Sequence, residues 1–246
     1  MPVRFVADGR DFLAEAFLLD KDGTLISFDH WLLVMRKRAR WLGQRIGLST
    51  KDENALLKFM GVDPHTGESL PQGIIHLPRC DAELEVAAYL EGLGVPRSLE
   101  LVNEVFREVD QEFPFERYIK PTPRAEEFLA GVKEAGGRVG IVTGDSAAAT
   151  RRHLAALGWE KLVDVVVGTD VCPARKPAPE PVVQACAALG VPPELGVMVG
   201  DSPADLLAGR NAGCIPIGVL TGLGKEEELA PLADALVPDL SAIRLR

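Results

Sequence analysis

Two aspartates one residue apart, Asp20 and Asp22, are followed at once by Gly23 and Thr24. Further along come Thr143-Gly144-Asp145, then Arg175-Lys176-Pro177, then Gly200-Asp201-Ser202-Pro203-Ala204-Asp205. Each segment has an ordinary explanation. Asp-Gly-Thr is common turn chemistry. Thr143, with Asp145 or Ser146, could cap a following helix, and Lys176 could be a solvated loop lysine. Ser202 to Asp205 fits a capping box with proline at the first helical position, which leaves Asp201 unexplained. Together the four segments describe a chemistry. Carboxylates crowded in a crevice repel one another, and a hard cation with oxygen ligands, typically Mg²⁺, relieves that repulsion. A carboxylate can attack a phosphoryl group to give an aspartyl-phosphate, dividing one hard step into two. Positive charge and N–H or O–H donors must surround the transferring group, and Lys176 and Thr143 are of that kind. A second carboxyl two residues from the nucleophile can protonate the leaving oxygen and later activate water.

The surrounding pattern explains how such residues could meet. Val3 to Ala7, Asp8-Gly9 and Asp11 to Leu13 read as a small hairpin, because Asp-Gly suits a type I′ turn. The apolar run Ala16-Phe17-Leu18-Leu19 reads as a buried strand stopped by Asp20-Lys21-Asp22-Gly23-Thr24. From about 29 to 118 the texture is helical, with helices over about 30–46 (capped by Asp29), 52–60, 81–93 and 98–112. A turn-rich loop over 61–73, rich in glycine and proline, separates the second from the third. After Pro121-Thr122-Pro123 helices and strands alternate: helix 124–135, strand 138–142, helix 146–157, strand 162–167, helix 180–189 and strand 196–199. A helix over 203–212 and strands at 215–219 and 235–237 complete it. That alternation predicts an α/β fold on a parallel sheet, whose ligands bind at the carboxyl ends of the strands.

Spacing ties the four segments to that rim. Thr143 to Lys176 is 33 positions and Lys176 to Asp201 is 25, each about one strand-helix step. Asp20 to Thr143 is 123 positions, about 90 more than one step requires. The surplus matches 29–118, so the helical stretch is an insertion. Without it, all four segments end at one edge of one sheet.

Composition sets the limits. With 246 residues the chain is long enough for one to two domains. Its 27 basic and 36 acidic residues give a net charge of −9, which disfavours a general affinity for nucleic acid or an anionic membrane. No stretch reads as a signal-peptide core or a membrane span. Cys80, Cys172, Cys186 and Cys214 form no C-x-x-C pair, so inert thiols are expected, in a soluble cytoplasmic protein. Arg36, Lys37, Arg38, Arg40 and Arg45 make the most basic stretch, and their spread over more than one helix face predicts a solvated surface.

Asp20-x-Asp22-Gly23-Thr24, Thr143, Lys176-Pro177 and Gly200-Asp201-x-x-x-Asp205, in that order, resemble the haloacid dehalogenase-like hydrolase superfamily. The resemblance is to members like the phosphoglycolate phosphatases, with a helical C1-type cap inserted after the first motif. It implies a Rossmann-like parallel-sheet core over 1–28 and 119–246, carrying catalysis, and an all-helical cap over 29–118, carrying substrate specificity. It implies Asp20 as nucleophile and Mg²⁺ ligand, and Asp22 as general acid/base with its backbone carbonyl on the metal. Thr143 and Lys176 would hold the phosphoryl oxygens, with Lys21 and Gly144 counted in the same phosphate-binding set. Asp201 would bind Mg²⁺ directly, and Asp205 would stand behind it or act through water. In the loop over 61–73 and beside it, Lys58, His65 and Thr66 are candidates to read the leaving group. Dehalogenases and phosphonatases of the superfamily lack the second aspartate, so Asp22 favours phosphate esters. Lys21 departs from the more usual apolar residue, and Gly144 from the polar one. The expected activity is a Mg²⁺-dependent phosphoric monoester hydrolase acting on a small phosphorylated metabolite, as a monomer or homodimer. The alternatives are a sugar phosphomutase like β-phosphoglucomutase, or a non-catalytic phospho-accepting module.

Overall fold

The computed structural model describes residues 2–70, 72–77 and 79–246; Met1, Pro71 and Pro78 lie outside them, Pro71 being part of the turn-rich loop. The chain begins with a hairpin of β1 (Val3–Ala7) and β2 (Arg10–Ala14). Asp8 and Gly9 at its turn have φ of 48° and 71°, the two positive values that a type I′ turn requires. β3 (Ala16–Leu19) follows, buried at every position. The helical segment contains α1 (Asp29–Ile46), α2 (Thr50–Phe59), α3 (Arg79–Gly92) and α4 (Ser98–Glu112). Then come α5 (Ala125–Glu134), β4 (Arg138–Val142), α6 (Ala147–Leu157), β5 (Val165–Val167), α7 (Glu180–Leu189) and β6 (Gly196–Gly200). α8 (Pro203–Ala212), β7 (Ile215–Val219), α9 (Glu226–Leu229), β8 (Ala235–Val237) and β9 (Arg244–Leu245) end it.

Among the described residues, six strands form a parallel sheet in the order β5-β4-β3-β6-β7-β8, and β2-β1-β9 form a small antiparallel sheet. Side chains of β3 alternate between two packed layers, as the two-residue period of a strand dictates. Phe17 and Leu19 join Phe128, Leu129, Trp159 and Val199 on one face. Ala16 and Leu18 join Val182, Cys186, Leu189 and Met198 on the other. Phe5 stacks on Phe12 and meets Phe17 edge-on, each at 5.2 Å between ring centres, so the hairpin is welded to the sheet by aromatic contacts.

The described residues divide into two compact units, Met1–Phe28 with Ile119–Arg246, and Asp29–Tyr118. The stem between them is paired: Ser27 N–H donates to Lys120 O at 2.7 Å, and Thr122 N–H to Leu25 O at 2.9 Å. Among the described residues no helix is long and apolar enough to cross a membrane.

Three expectations change. The strand expected over 162–167 starts only at Val165. Leu162 N–H closes a turn on Trp159 O, and Asp164 Oδ2 accepts from Val139 N–H at 2.8 Å. A side chain thus takes a ladder position ahead of the strand. β9 was not expected; it pairs Phe5 with Leu245 and Val6 with Arg244. The basic stretch of α1 is not wholly solvated. Arg38 is 2% exposed, with its guanidinium 4.2 Å from the centre of the Phe106 ring and Nη2 2.7 Å from Asp110 Oδ1. Arg79 reaches the other oxygen of Asp110. Burying the charge is tolerable because a carboxylate and an aromatic face meet it. Cys172, Cys186 and Cys214 are buried, with 3.9 Å between the last two Sγ atoms.

Candidate active site

Register brings the chemistry to one edge. Leu19 pairs with both Ile141 and Val199, so Asp20, Thr143 and Asp201 emerge from adjacent strand ends. Asp20 N–H still donates to Val199 O (2.9 Å), and Thr143 N–H to Val167 O (3.0 Å), so the backbone holds both residues one step past the ladder. The chain winds outward from β3 in one direction through β4 and β5, and in the other through β6, β7 and β8. The crevice at that reversal is where an open α/β sheet binds ligands.

Asp20, Asp201 and Asp205 each place a carboxylate oxygen within 4.8 Å of the other two, and all three are buried. Lys176 Nζ lies 2.5 Å from Asp20 Oδ1, also donates to Asp205 Oδ1, and reaches Val142 O at 2.8 Å. Asp205 also supports the helix that follows it. Its Oδ2 accepts from Ser202 N–H (3.1 Å) and Ser202 Oγ (2.6 Å), closing the capping box that starts α8. Burial pushes the Asp20 carboxyl up to about 7; Lys176 opposes this, while Asp205 and Asp22 add to it. Asp201 is raised well above the carboxylate range, first by burial and then by Asp20 and Asp205, against hydrogen bonds from Leu223 N–H and Thr24. For Lys176, burial favours the neutral amine, but Asp20 and Asp205 outweigh it and hold the ammonium.

One ammonium against three buried carboxylates leaves negative charge uncompensated. All-oxygen donors with that surplus fit a hard divalent cation such as Mg²⁺, with Asp20, Asp201 and Asp205 as its carboxylate neighbours. The side chain of Asp22 is not in this group; its Oδ2 receives Lys21 Nζ at 2.6 Å. Lys21, expected among the phosphate-binding residues, is fully buried, and its ammonium is engaged by Asp22 and, at 3.5 Å, by Asp145 Oδ2. Thr143 is buried, and its Oγ1 accepts from Asp145 N–H at 3.1 Å. The residue that caps α6 is Ser146, not Thr143; its Oγ accepts from Ala149 N–H at 3.1 Å. A Cβ at Gly144 would meet nothing within 4 Å, which leaves space beside Thr143.

Lys58, His65 and Thr66 lie in the helical unit and are exposed. The N–H groups of His65 and Thr66 donate to Asp63 Oδ1 at 2.7 and 3.0 Å, which fixes the backbone of that turn.

A fifth strand end also belongs to the site. The loop after β7 wraps Asp201: Leu223 N–H donates to its Oδ2 at 3.1 Å, and Thr221 Oγ1 donates to Gly23 O at 2.5 Å. A Cβ at Gly222 would fall 1.8 Å from Asp201 Oδ2, and one at Gly23, whose φ is +89°, 2.5 Å from the same atom. Only bare backbone fits on either side of this carboxylate. Thr24 Oγ1 donates to Asp201 Oδ1 at 3.0 Å and completes its support. Leu220-Thr221-Gly222-Leu223-Gly224, directly after a strand, was the available signal for this loop.

The family model for haloacid dehalogenase-like hydrolases matches residues 14–213. The chain belongs to this family. It is 27% identical over 186 residues to a phosphoglycolate phosphatase of Psychrobacter arcticus, covering 73% of this chain and 79% of that one. It is 29% identical over 235 residues to validoxylamine A 7′-phosphate phosphatase of Streptomyces hygroscopicus subsp. limoneus, covering 92% of this chain and 94% of that one. The crystal structure of a phosphatase of the same superfamily from Thermococcus onnurineus superposes with a TM-score of 0.64 at 22% identity, covering 92% and 94% of the two chains. In this haloacid dehalogenase-like hydrolase the span 14–213 contains every residue from Asp20 to Asp205, whereas the loop supporting Asp201 lies beyond it.

Proposed function

We propose that this chain is a Mg²⁺-dependent phosphomonoesterase acting on a small phosphorylated metabolite. The observation that carries the reading is the Lys176 ammonium shared between Asp20 and Asp205, with Asp201 within ligand distance of both acids. In this reading Asp20 attacks the phosphorus, and the bond from phosphorus to the leaving oxygen breaks with its electron pair kept on that oxygen. Asp22 delivers a proton there. Asp22 then takes a proton from water as the water attacks the aspartyl-phosphate, releasing phosphate and restoring Asp20. Thr143 and Lys176 supply donors and charge to the transferring oxygens. Asp20, Asp201 and Asp205 would hold Mg²⁺, which when bound neutralises phosphoryl charge and keeps Asp20 ionised near pH 7. The relatives named as phosphatases of phosphoglycolate and of validoxylamine A 7′-phosphate support a monoester substrate. The helical unit is assigned the reading of the leaving group, with Lys58, His65 and Thr66 as the side chains to vary.

The test is a screen of phosphorylated metabolites with Mg²⁺ and with chelator, reading released phosphate. Chelator-sensitive release from at least one monoester, lost by about 10³-fold or more in Asp20→Asn, is the expected result. Turnover insensitive to chelator, or none with any phosphate ester, would overturn the reading. Isomerised sugar phosphate in place of released phosphate would move the chain to the phosphomutases.

A further inference from the structure

Lys21 is 0% exposed, an unusual place for an ammonium, and it lies between the two aspartates of the first strand end. A buried charge persists only where carboxylates and hydrogen bonds meet it. Two do here: Asp22 Oδ2 at 2.6 Å and Asp145 Oδ2 at 3.5 Å. Asp145 is itself fixed, its Oδ1 accepting from Ser146 N–H at 3.0 Å and its own N–H donating to Thr143 Oγ1 at 3.1 Å. The ammonium therefore ties the turn after β3 to the turn after β4, joining Asp22 to the segment that holds Thr143. With no surface exposed, Lys21 is shut off from a substrate, so any effect on turnover passes through the carboxylates it holds.

We propose that Lys21 is a positioning residue for Asp22. By donating to Oδ2, it fixes the plane of the carboxyl group that exchanges the proton with the leaving oxygen, while Asp145 anchors the ammonium from the other side. This rests on the phosphoryl-transfer reading of Asp20 and Asp22. A carboxyl whose rotation is fixed transfers its proton without first being ordered, and that counts most where the leaving oxygen is basic and most needs the proton.

The experiment compares p-nitrophenyl phosphate, whose leaving group is stable as an anion, with phenyl phosphate, whose leaving group is more basic. Lys21→Met is expected to lower kcat about tenfold more on phenyl phosphate than on p-nitrophenyl phosphate, with KM little changed. Lys21→Arg restores part of the loss. Asp145→Asn, which keeps Lys21 but weakens its second anchor, gives a smaller loss with the same dependence on leaving group, and it serves if Lys21→Met does not fold. In an Asp22→Asn background, Lys21→Met adds no further loss, because the group it positions is already gone. Equal losses on both esters, a change confined to KM, or an undiminished effect in the Asp22→Asn background would overturn the proposal and leave the phosphatase reading intact. Wild-type turnover of p-nitrophenyl phosphate by Asp20→Asn would overturn both.

Discussion

Asp20 and Asp201 share a crevice in which one ammonium must answer for three acids, and that imbalance has a measurable sign. Asp20 binds its proton more tightly in the folded chain, at about 7, than in the unfolded one, near 3.8. The stabilisation is therefore complete below about pH 4 and is lost as the pH rises through about 7. In chelator, Asp20→Asn should melt above the wild type at pH 8, and the gap should close toward pH 4. Added Mg²⁺ should raise the melting temperature of the wild type more than that of the variant, as a thermal scan with and without the ion would show. Thr143→Val keeps the size of the side chain but removes its hydroxyl and the acceptor of Asp145 N–H; kcat/KM should fall about 10²-fold, against about 1 kcal/mol of stability in denaturant unfolding. Most of these residues were legible because Asp20, Thr143 and Asp201 stand at or just past the ends of apolar runs, and Lys176 lies one strand-helix step from Thr143 and from Asp201. The setting of Lys21 was not. A lysine head normally stays in water, and its burial here depends on Asp145, from a distant segment, being delivered by sheet register.

Elements act on the chemistry by how closely their backbones approach. Because a Cβ at Gly222 would fall 1.8 Å from Asp201 Oδ2, Gly222→Ala must displace that carboxylate. The Mg²⁺ concentration for half-maximal activity should rise about tenfold, a shift read from an activity titration. At the start of α8, Ser202→Ala removes both the helix cap and a donor to Asp205. A loss of about 1 kcal/mol in denaturant unfolding is expected. Apart from the short α9, which was not expected, the helices and most strands lie within two residues of where periodicity places them, because amphipathic faces and capping residues are local signals. β5 and β9 were misread or missed for a shared reason. The first is cut short by the side chain of Asp164 acting on Val139, and the second, only two residues long, exists by pairing with β1 at the opposite end of the chain. Such long-range pairing leaves no periodic trace. The Thr221–Gly224 loop did leave one, a glycine-rich turn at a strand end, which the four acidic and basic segments overshadowed.

Over the whole molecule, the helical unit carries its own packed interior, with Leu42, Leu56, Leu90, Val105 and Phe106 all fully buried. Arg38 is part of that interior, so Arg38→Ala should cost about 3 kcal/mol by leaving a cavity beside Phe106 and taking from Asp110 one of its two arginines. The loss should appear in hydrogen exchange of α1 and α4, while protection of the sheet strands is retained. The stem has a further meaning. Entry and exit lie side by side, with Ser27 bonded to Lys120, Leu25 to Thr122, and Thr122 Oγ1 to Thr24 O. A sheet whose insertion leaves and returns through one clasp is closed without it. The helical piece is thus carried as an insertion that inheritance can lengthen, reshape or replace without redrawing the sheet it departs from.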